Sequence, residues 1–163
     1  MDNIMGNQQA TSHQLAWLAG IWDGEGTFSI LYQQKSHGEA YIARITLSNT
    51  DISMINEILK ILDAYDINGH LWKEEPRKKQ HKAAYHITIN KLKNVKTCAE
   101  LMLPYLINKK PNAEIIIRFV NSRLEYKKKP IQDKETGKII GMEKQGYTDN
   151  EKSWYKQMSE LNK

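Results

Sequence analysis

The chain has 163 residues, of which 40% are hydrophobic and 26% charged, which is enough apolar side chain to close one core and too much for a disordered chain. Lys plus Arg number 24 against 19 Asp plus Glu, so the net charge of +5 suits an anionic partner without naming one. A single cysteine, Cys98, excludes an intrachain disulfide, and no apolar run approaches the roughly 20 residues that a bilayer span needs.

The expectation from these bounds is a soluble, intracellular protein without a membrane partner. The first residues, Met1 to Gln9, are polar and carry no apolar signal core. Residues 1–11 read as a flexible arm. Ser12 is placed to cap a helix from about His13 to Trp22, in which Leu15, Leu18, Ala19 and Trp22 recur at helical spacing. Two glycines in Gly24-Glu25-Gly26 favour chain reversal, so the helix is expected to stop there. Phe28, Ile30 and Tyr32 then alternate with Thr27, Ser29, Leu31, Gln33 and Lys35, a strand pattern. Ser36 to Glu39 suits a hairpin turn. A second alternating strand puts Tyr41, Ala43, Ile45 and Leu47 on one face and Ile42, Arg44, Thr46 and Ser48 on the other.

Asp51 or Thr50 caps a second helix with an apolar stripe of Ile55, Ile58, Leu59 and Leu62. Asn68-Gly69 turns into a third strand, about His70 to Glu75. A basic loop, Pro76 to Gln80, leads to a fourth strand, about Ala83 to Asn90. Helices are expected over about Asn94 to Leu103 and Asn112 to Tyr126, punctuated by Pro104 and Pro111. Val95, Cys98, Ala99 and Met102 form one face of the first of these, so Cys98 is a small core residue rather than a nucleophile. After Lys127-Lys128-Lys129-Pro130 the character changes. Residues 130–163 read as an extension made of a short hairpin and a capped helix, with Trp154, Met158 and Leu161 inward. The order argues for an α+β domain over residues 12–129, in which helices cover one face of an antiparallel four-stranded sheet.

The informative segment is Leu18-Ala19-Gly20-Ile21-Trp22-Asp23-Gly24-Glu25-Gly26. Ala16, Ala19 and Gly20 are small residues that let two helix backbones approach closely, a steric argument best developed for membrane helices. Asp23 and Glu25 lie at the C-terminal end of the same helix, where the dipole disfavours anions. Two readings stand on the physics alone. Either a divalent cation compensates these acids, held by a carboxylate and a freed carbonyl such as that of Gly24, or the acids sit in a solvated turn.

The nonapeptide resembles the signature of LAGLIDADG homing endonucleases. Leu18, Ala19, Gly20, Asp23 and Gly26 are identical to it, Ile21, Gly24 and Glu25 are conservative departures, and Trp22 is a larger apolar substitute. The helix-strand-strand-helix-strand-strand-helix order, αββαββα, is similar to that family's core over about Ser12 to Tyr126. The resemblance implies a double-strand DNA endonuclease that hydrolyses phosphodiesters with magnesium, for which manganese is expected to substitute. It implies Glu25 as metal ligand and catalytic acid, Gly24 as a carbonyl donor, and Asp23 as a brace of the motif turn and helix pair. Asn49 matches a polar position that organises solvent, and Lys109, with Lys110 as competitor, matches a lysine near the cleavage site. As readings of the residues themselves, Asn49 is equally a helix cap and Lys109 a solvated lysine.

The motif occurs once, which implies a homodimer joined through Ala16, Ala19, Gly20 and Asp23 and a long, pseudo-palindromic DNA target. Intron or intein mobility is the biological role the resemblance implies, in an organelle or a prokaryotic cytoplasm. An RNA-splicing maturase or a non-catalytic nucleic-acid-binding module of the same fold, with intron RNA as partner, is the competing reading. The sheet face opposite the core would present Thr27, Ser29, Leu31, Gln33, Lys35, Arg44, Thr46, Trp72, Glu74, His86 and Thr88 to base edges, in phase with Glu25. Arg77-Lys78-Lys79, Lys109-Lys110 and Lys127-Lys128-Lys129 would grip phosphates. The bland reading of the same face is the solvent side of a half-buried sheet, although Leu31 and Trp72 fit that poorly.

Overall fold

The computed structural model describes residues 10–36, 38–76, 82–126, 129–143 and 146–163. The elements are α1 (Ser12–Glu25), β1 (Gly26–Lys35), β2 (Gly38–Asn49), α2 (Ile52–Asp63), β3 (His70–Glu74), β4 (Ala84–Ile89), α3 (Leu92–Met102), α4 (Lys110–Glu125), β5 (Pro130–Gln132), β6 (Ile139–Met142) and α5 (Asp149–Leu161). This is the expected α+β architecture. The four long strands form one antiparallel sheet in the order β1-β2-β4-β3, and β5 and β6 pair separately.

Period-2 patterning sets the sheet's two faces. Phe28, Ile30, Ala43, Ile45, Leu47, Ile87 and Ile89 are buried on one face beneath the helices. They meet Leu18, Ala19 and Trp22 of α1, Ile55, Ile58, Ile61 and Leu62 of α2, Val95, Cys98, Ala99 and Met102 of α3, and Ala113, Ile115, Ile116, Phe119 and Val120 of α4. Burial of each large side chain here contributes about 1.5–3 kcal/mol. Cys98 is buried, as its helical spacing predicts. Tyr32, expected inward, is 42% exposed because it lies on the part of the β1–β2 hairpin that β4 does not reach.

Helix ends differ from expectation in instructive ways. Thr11 rather than Ser12 caps α1, through a reciprocal box with Gln14. The helix continues through Gly24 to Glu25 instead of reversing, and β1 starts at Gly26 with no intervening turn. Glu25 is therefore a helical residue, and its side chain is placed by the helix end rather than by strand parity. Asp51, not Thr50, caps α2 by accepting from the amides of Ser53 and Met54. Pro111 lies inside the first turn of α4, where a missing N–H costs no hydrogen bond. In α5 Met158 and Glu151 are buried, Trp154 is half-buried, and Leu161, expected inward, is exposed. Among the described residues no helix is long and apolar enough to cross a membrane.

Candidate active site and nucleic-acid interface

The site grows from the C-terminus of α1. Helical carbonyls in a last turn run short of partners within the helix and carry the negative end of the dipole. The Asp23 carbonyl accepts from the Lys109 ammonium at 2.7 Å, and the Trp22 carbonyl, which also takes the Gly26 amide, accepts from it at 2.9 Å. A lysine 86 residues away from Asp23 thus places a positive charge at these two carbonyls. Asp23 returns the contact: its carboxylate oxygens accept from the backbone amides of Ile107 (2.7 Å) and Lys109 (2.8 Å). The pair clasps the segment before α4 onto the end of α1. Lys109, expected near the cleavage site, holds the end of α1 at Asp23, two residues before Glu25; Lys110, its competitor for that role, opens α4 and is exposed.

Glu25 is exposed at the last helical position, and Asn49, at the end of β2, donates its amide N–H to the Glu25 carboxylate. The Asn49 carbonyl oxygen accepts from the Asp51 amide at 2.7 Å, so Asn49 is fixed by the capped start of α2. Asn49 is therefore a bridge between Glu25 and the α2 cap and not itself the cap. Gly26 makes the geometry possible, since a Cβ there would run into the indole of Trp22. Gly24 is exposed beside Glu25. Among the described residues no group of three or more His, Cys, Asp or Glu converges in a single copy.

Ala16, Gly20 and Gly24 are exposed small residues of α1, spaced four apart on one helix face, and a side chain added at Gly20 or Gly24 would meet nothing. Ala19, expected on the same contact face, is instead fully buried in its own core. The 3.6-residue turn carries it about 100° from Gly20.

Register gives the outward face of the sheet directly. Thr27 pairs Thr46, which pairs Thr88, which pairs His70; Ser29 pairs Arg44; Leu31 pairs Ile42; Gln33 pairs Ala40. Trp72 pairs His86, and Glu74 pairs Ala84. All of the strand residues expected on the reading face share this side, while Arg77, Lys78 and Lys79 lie outside the described residues. Trp72 stacks on His86 with ring centroids 3.9 Å apart. His86 Nδ1 lies 2.6 Å from Ser48 Oγ, and Nε2 lies 3.3 Å from Glu74. The exposed tryptophan is thus a rigid slab. His70 and Ser48 belong to the same face and were missed as site residues, although strand parity with Trp72 and Thr46 points to both.

The helix end thus carries an exposed acid beside a polar sheet face, in a chain of net charge +5. The chain belongs to the LAGLIDADG-like family, whose sequence profile, the LAGLIDADG-like domain, matches residues 12–102. Among solved structures it is similar to the homing endonuclease I-CvuI, crystallised with an I-CreI target in the presence of magnesium with the DNA not cleaved (20% identity, 71% of this chain, 72% of that chain, TM-score 0.57). It is also similar to the archaeal intron-encoded homing endonuclease I-Vdi141I complexed with DNA (13% identity, 69% of each chain, TM-score 0.57). A third is the homing endonuclease I-TnaI (18% identity, 72% of this chain, 76% of that chain, TM-score 0.54). At these identities the likeness is one of fold. No curated protein sequence matches the chain.

Proposed function

We propose that the chain is a site-specific, divalent-metal-dependent endonuclease that cuts duplex DNA as a homodimer. The observation that carries the reading is the exposed Glu25 carboxylate, held by Asn49 at the end of a motif helix and next to an outward-facing polar sheet. Support for the dimer comes from the open small-residue face of α1, Ala16, Gly20 and Gly24, which a second α1 can approach closely. Pairing two copies brings two Glu25 carboxylates together in one shared site.

The donor set suits magnesium: Glu25, the Gly24 carbonyl and phosphate oxygens are hard oxygen ligands. When bound, the metal supplies charge stabilisation at the phosphate and lowers the pKa of its water. The protein's own part is positional. Asn49 orients the Glu25 carboxylate, Lys109 and Asp23 lock the helix end that carries it, and Asn49 also offers an amide to ordered solvent. Thr27, Ser29, Gln33, Arg44, Thr46, Trp72, Glu74, His86 and Thr88 read base edges in the major groove, with Gln33 suited to adenine and Arg44 to guanine. Lys35, Arg77, Lys78 and Lys79 contribute phosphate contacts, so affinity falls with salt. Cleavage at one long target is the activity that serves intron or intein mobility.

The test is cleavage of a randomised duplex library in magnesium, with the ends sequenced, by wild type and Glu25→Gln. Wild type is expected to cut a pseudo-palindromic site. Glu25→Gln is expected to lose cleavage by about 10³-fold or more, the worth of several kcal/mol of charge stabilisation, while it still binds that site. Unchanged cleavage in Glu25→Gln removes the proposed metal ligand. Joint loss of binding and dimerisation makes Glu25 structural.

A further inference from the structure

The β1–β2 hairpin is longer than the sheet that supports it. β1 and β2 pair from Gly26↔Leu47 to Lys35↔Gly38, but β4 joins β2 only from Ile45 to Asn49. Residues 29–35 and 38–44 are thus a two-stranded ribbon, and such a ribbon is marginally stable in water by itself. Its outward side carries Leu31, Gln33 and Lys35. From Gly26 to Lys35 is nine steps of about 3.3 Å, about 30 Å, or about nine base pairs along a groove. On a duplex whose groove follows β1, Leu31 to Lys35 would lie over the positions about five to nine base pairs from the helix ends that carry Glu25.

The inward side of the ribbon rests on the C-terminal segment, beyond the part of the chain that the family profile matches. Tyr32 and Tyr41 pair across the hairpin at 5.3 Å. Tyr155 of α5 packs on both, at 5.2 Å from Tyr41 and 6.2 Å from Tyr32, and Tyr147 packs on Tyr41 at 4.7 Å. Arg123 of α4 lies over the Tyr147 ring at 4.2 Å. Near the hairpin tip Lys152 pairs with Glu39 at 2.6 Å, a contact that raises the lysine's affinity for its proton. Asn162 donates to the Phe28 carbonyl at 2.9 Å on the edge of β1 that no strand covers among the described residues. α5 is itself rooted: Met158 is in the core, and Glu151 is fully buried against Ser122 (3.0 Å) and Arg123 (3.6 Å).

We propose that α5 and this tyrosine cluster brace the ribbon so that it reads the outer positions of each DNA half-site. The inference rests on the DNA-reading role proposed above for the sheet. Base discrimination by hydrogen bonding needs a side chain held to about 0.5 Å, whereas a phosphate contact tolerates far more play. A ribbon freed from α5 keeps its lysine and its general affinity but loses its register on the bases. Tyr155 and Lys152 are positioning residues on the face opposite the DNA.

The experiment is selection of bound duplexes from a randomised library, with calcium in place of magnesium, by the full-length wild type, Tyr155→Ala, Lys152→Glu and the swapped pair Lys152→Glu with Glu39→Lys. For wild type each outer contact is expected to discriminate bases by about 5- to 150-fold, the range of a good base contact. In Tyr155→Ala the outer positions are expected to drop below about threefold while positions nearer the centre stay within about twofold of wild type. Lys152→Glu is expected to reduce outer discrimination by about two- to fivefold, a surface ion pair's worth, and the swap to restore it. Equal loss at all positions, or a folded Tyr155→Ala with outer discrimination intact, overturns the proposal. If Tyr155→Ala does not fold, a Lys152→Glu profile that is unchanged, or that the swap fails to restore, overturns it instead. Failure of wild type to enrich any sequence overturns the DNA-reading role itself, and is distinct from enrichment whose outer positions ignore α5.

Discussion

Replacing Asp23 by alanine isolates the clasp between α1 and the segment before α4. The substitution deletes acceptors for the Ile107 and Lys109 amides, at 2.7 and 2.8 Å. A hydrogen bond to a charged group contributes about 1.5–3 kcal/mol, and the low end applies at Ile107, which is 82% exposed and regains water. The two bonds together are worth about 3 kcal/mol. Alanine returns about 1 kcal/mol, through better helix propensity and removal of an anion from the negative end of the dipole. The net loss of about 2 kcal/mol lowers Tm by about 4–8 °C for a chain of this size. Calorimetry at one fixed protomer concentration reads this, because a dimer's Tm depends on concentration. Asp23→Asn keeps one acceptor and is expected to lose about half as much. A double-mutant cycle with Lys109→Met should give a coupling of about 1 kcal/mol or more, since both residues belong to one network. A Tm unchanged within 2 °C (about 0.5–1 kcal/mol) together with lost cleavage refutes the clasp and assigns Asp23 to the reaction.

Further expectations follow from particular contacts. Gly20→Leu adds a side chain into open space in one copy, so the protomer should keep its Tm at low concentration, while light scattering should show monomer in place of dimer. A fully active dimer contradicts the proposed helix face. Glu151→Ala removes a fully buried carboxylate from Arg123, Ser122 and the Thr148 amide, and is expected to cost about 3–5 kcal/mol by urea unfolding. A cost under about 1 kcal/mol would show that α5 is not anchored through this residue. Burial pushes the Cys98 thiol up to about 12 from its ordinary 9.0, so the native protein should resist thiol reagents at pH 8 and react on unfolding. Because the folded-state value is raised, the thiol's contribution to stability is intact below pH 9.0 and is lost as pH climbs from 9.0 towards about 12. Rapid native labelling contradicts that burial.

Much of this protein is written in local patterns. Alternation in Phe28 to Lys35 and Tyr41 to Ser48 specified which side chains face the helices, because a strand has a period of two whatever its neighbours are. The spacing of Ile55, Ile58 and Leu62, and of Val95, Cys98 and Met102, did the same for two helices. The residues from Leu18 to Gly26 carried the family and the acid at Glu25. What local patterns could not decide were contacts made across long separations. Glycine propensity argued for a reversal at Gly24, yet the helix runs on, and Lys109, 86 residues beyond Asp23, secures its end. Small size put Ala19 on a contact face, but packing against the sheet took it into the core and left Gly20 and Gly24 exposed. Asn49 became a bridge only when the sheet delivered the end of β2 beside the end of α1. The tyrosines at 32, 41, 147 and 155 share no motif, and only the return of α5 onto the hairpin brings them together. Sequence alone determines such elements as have their own periodicity; the positions of caps, clasps and braces belong to tertiary structure, because each needs a partner that the chain supplies only after it has folded.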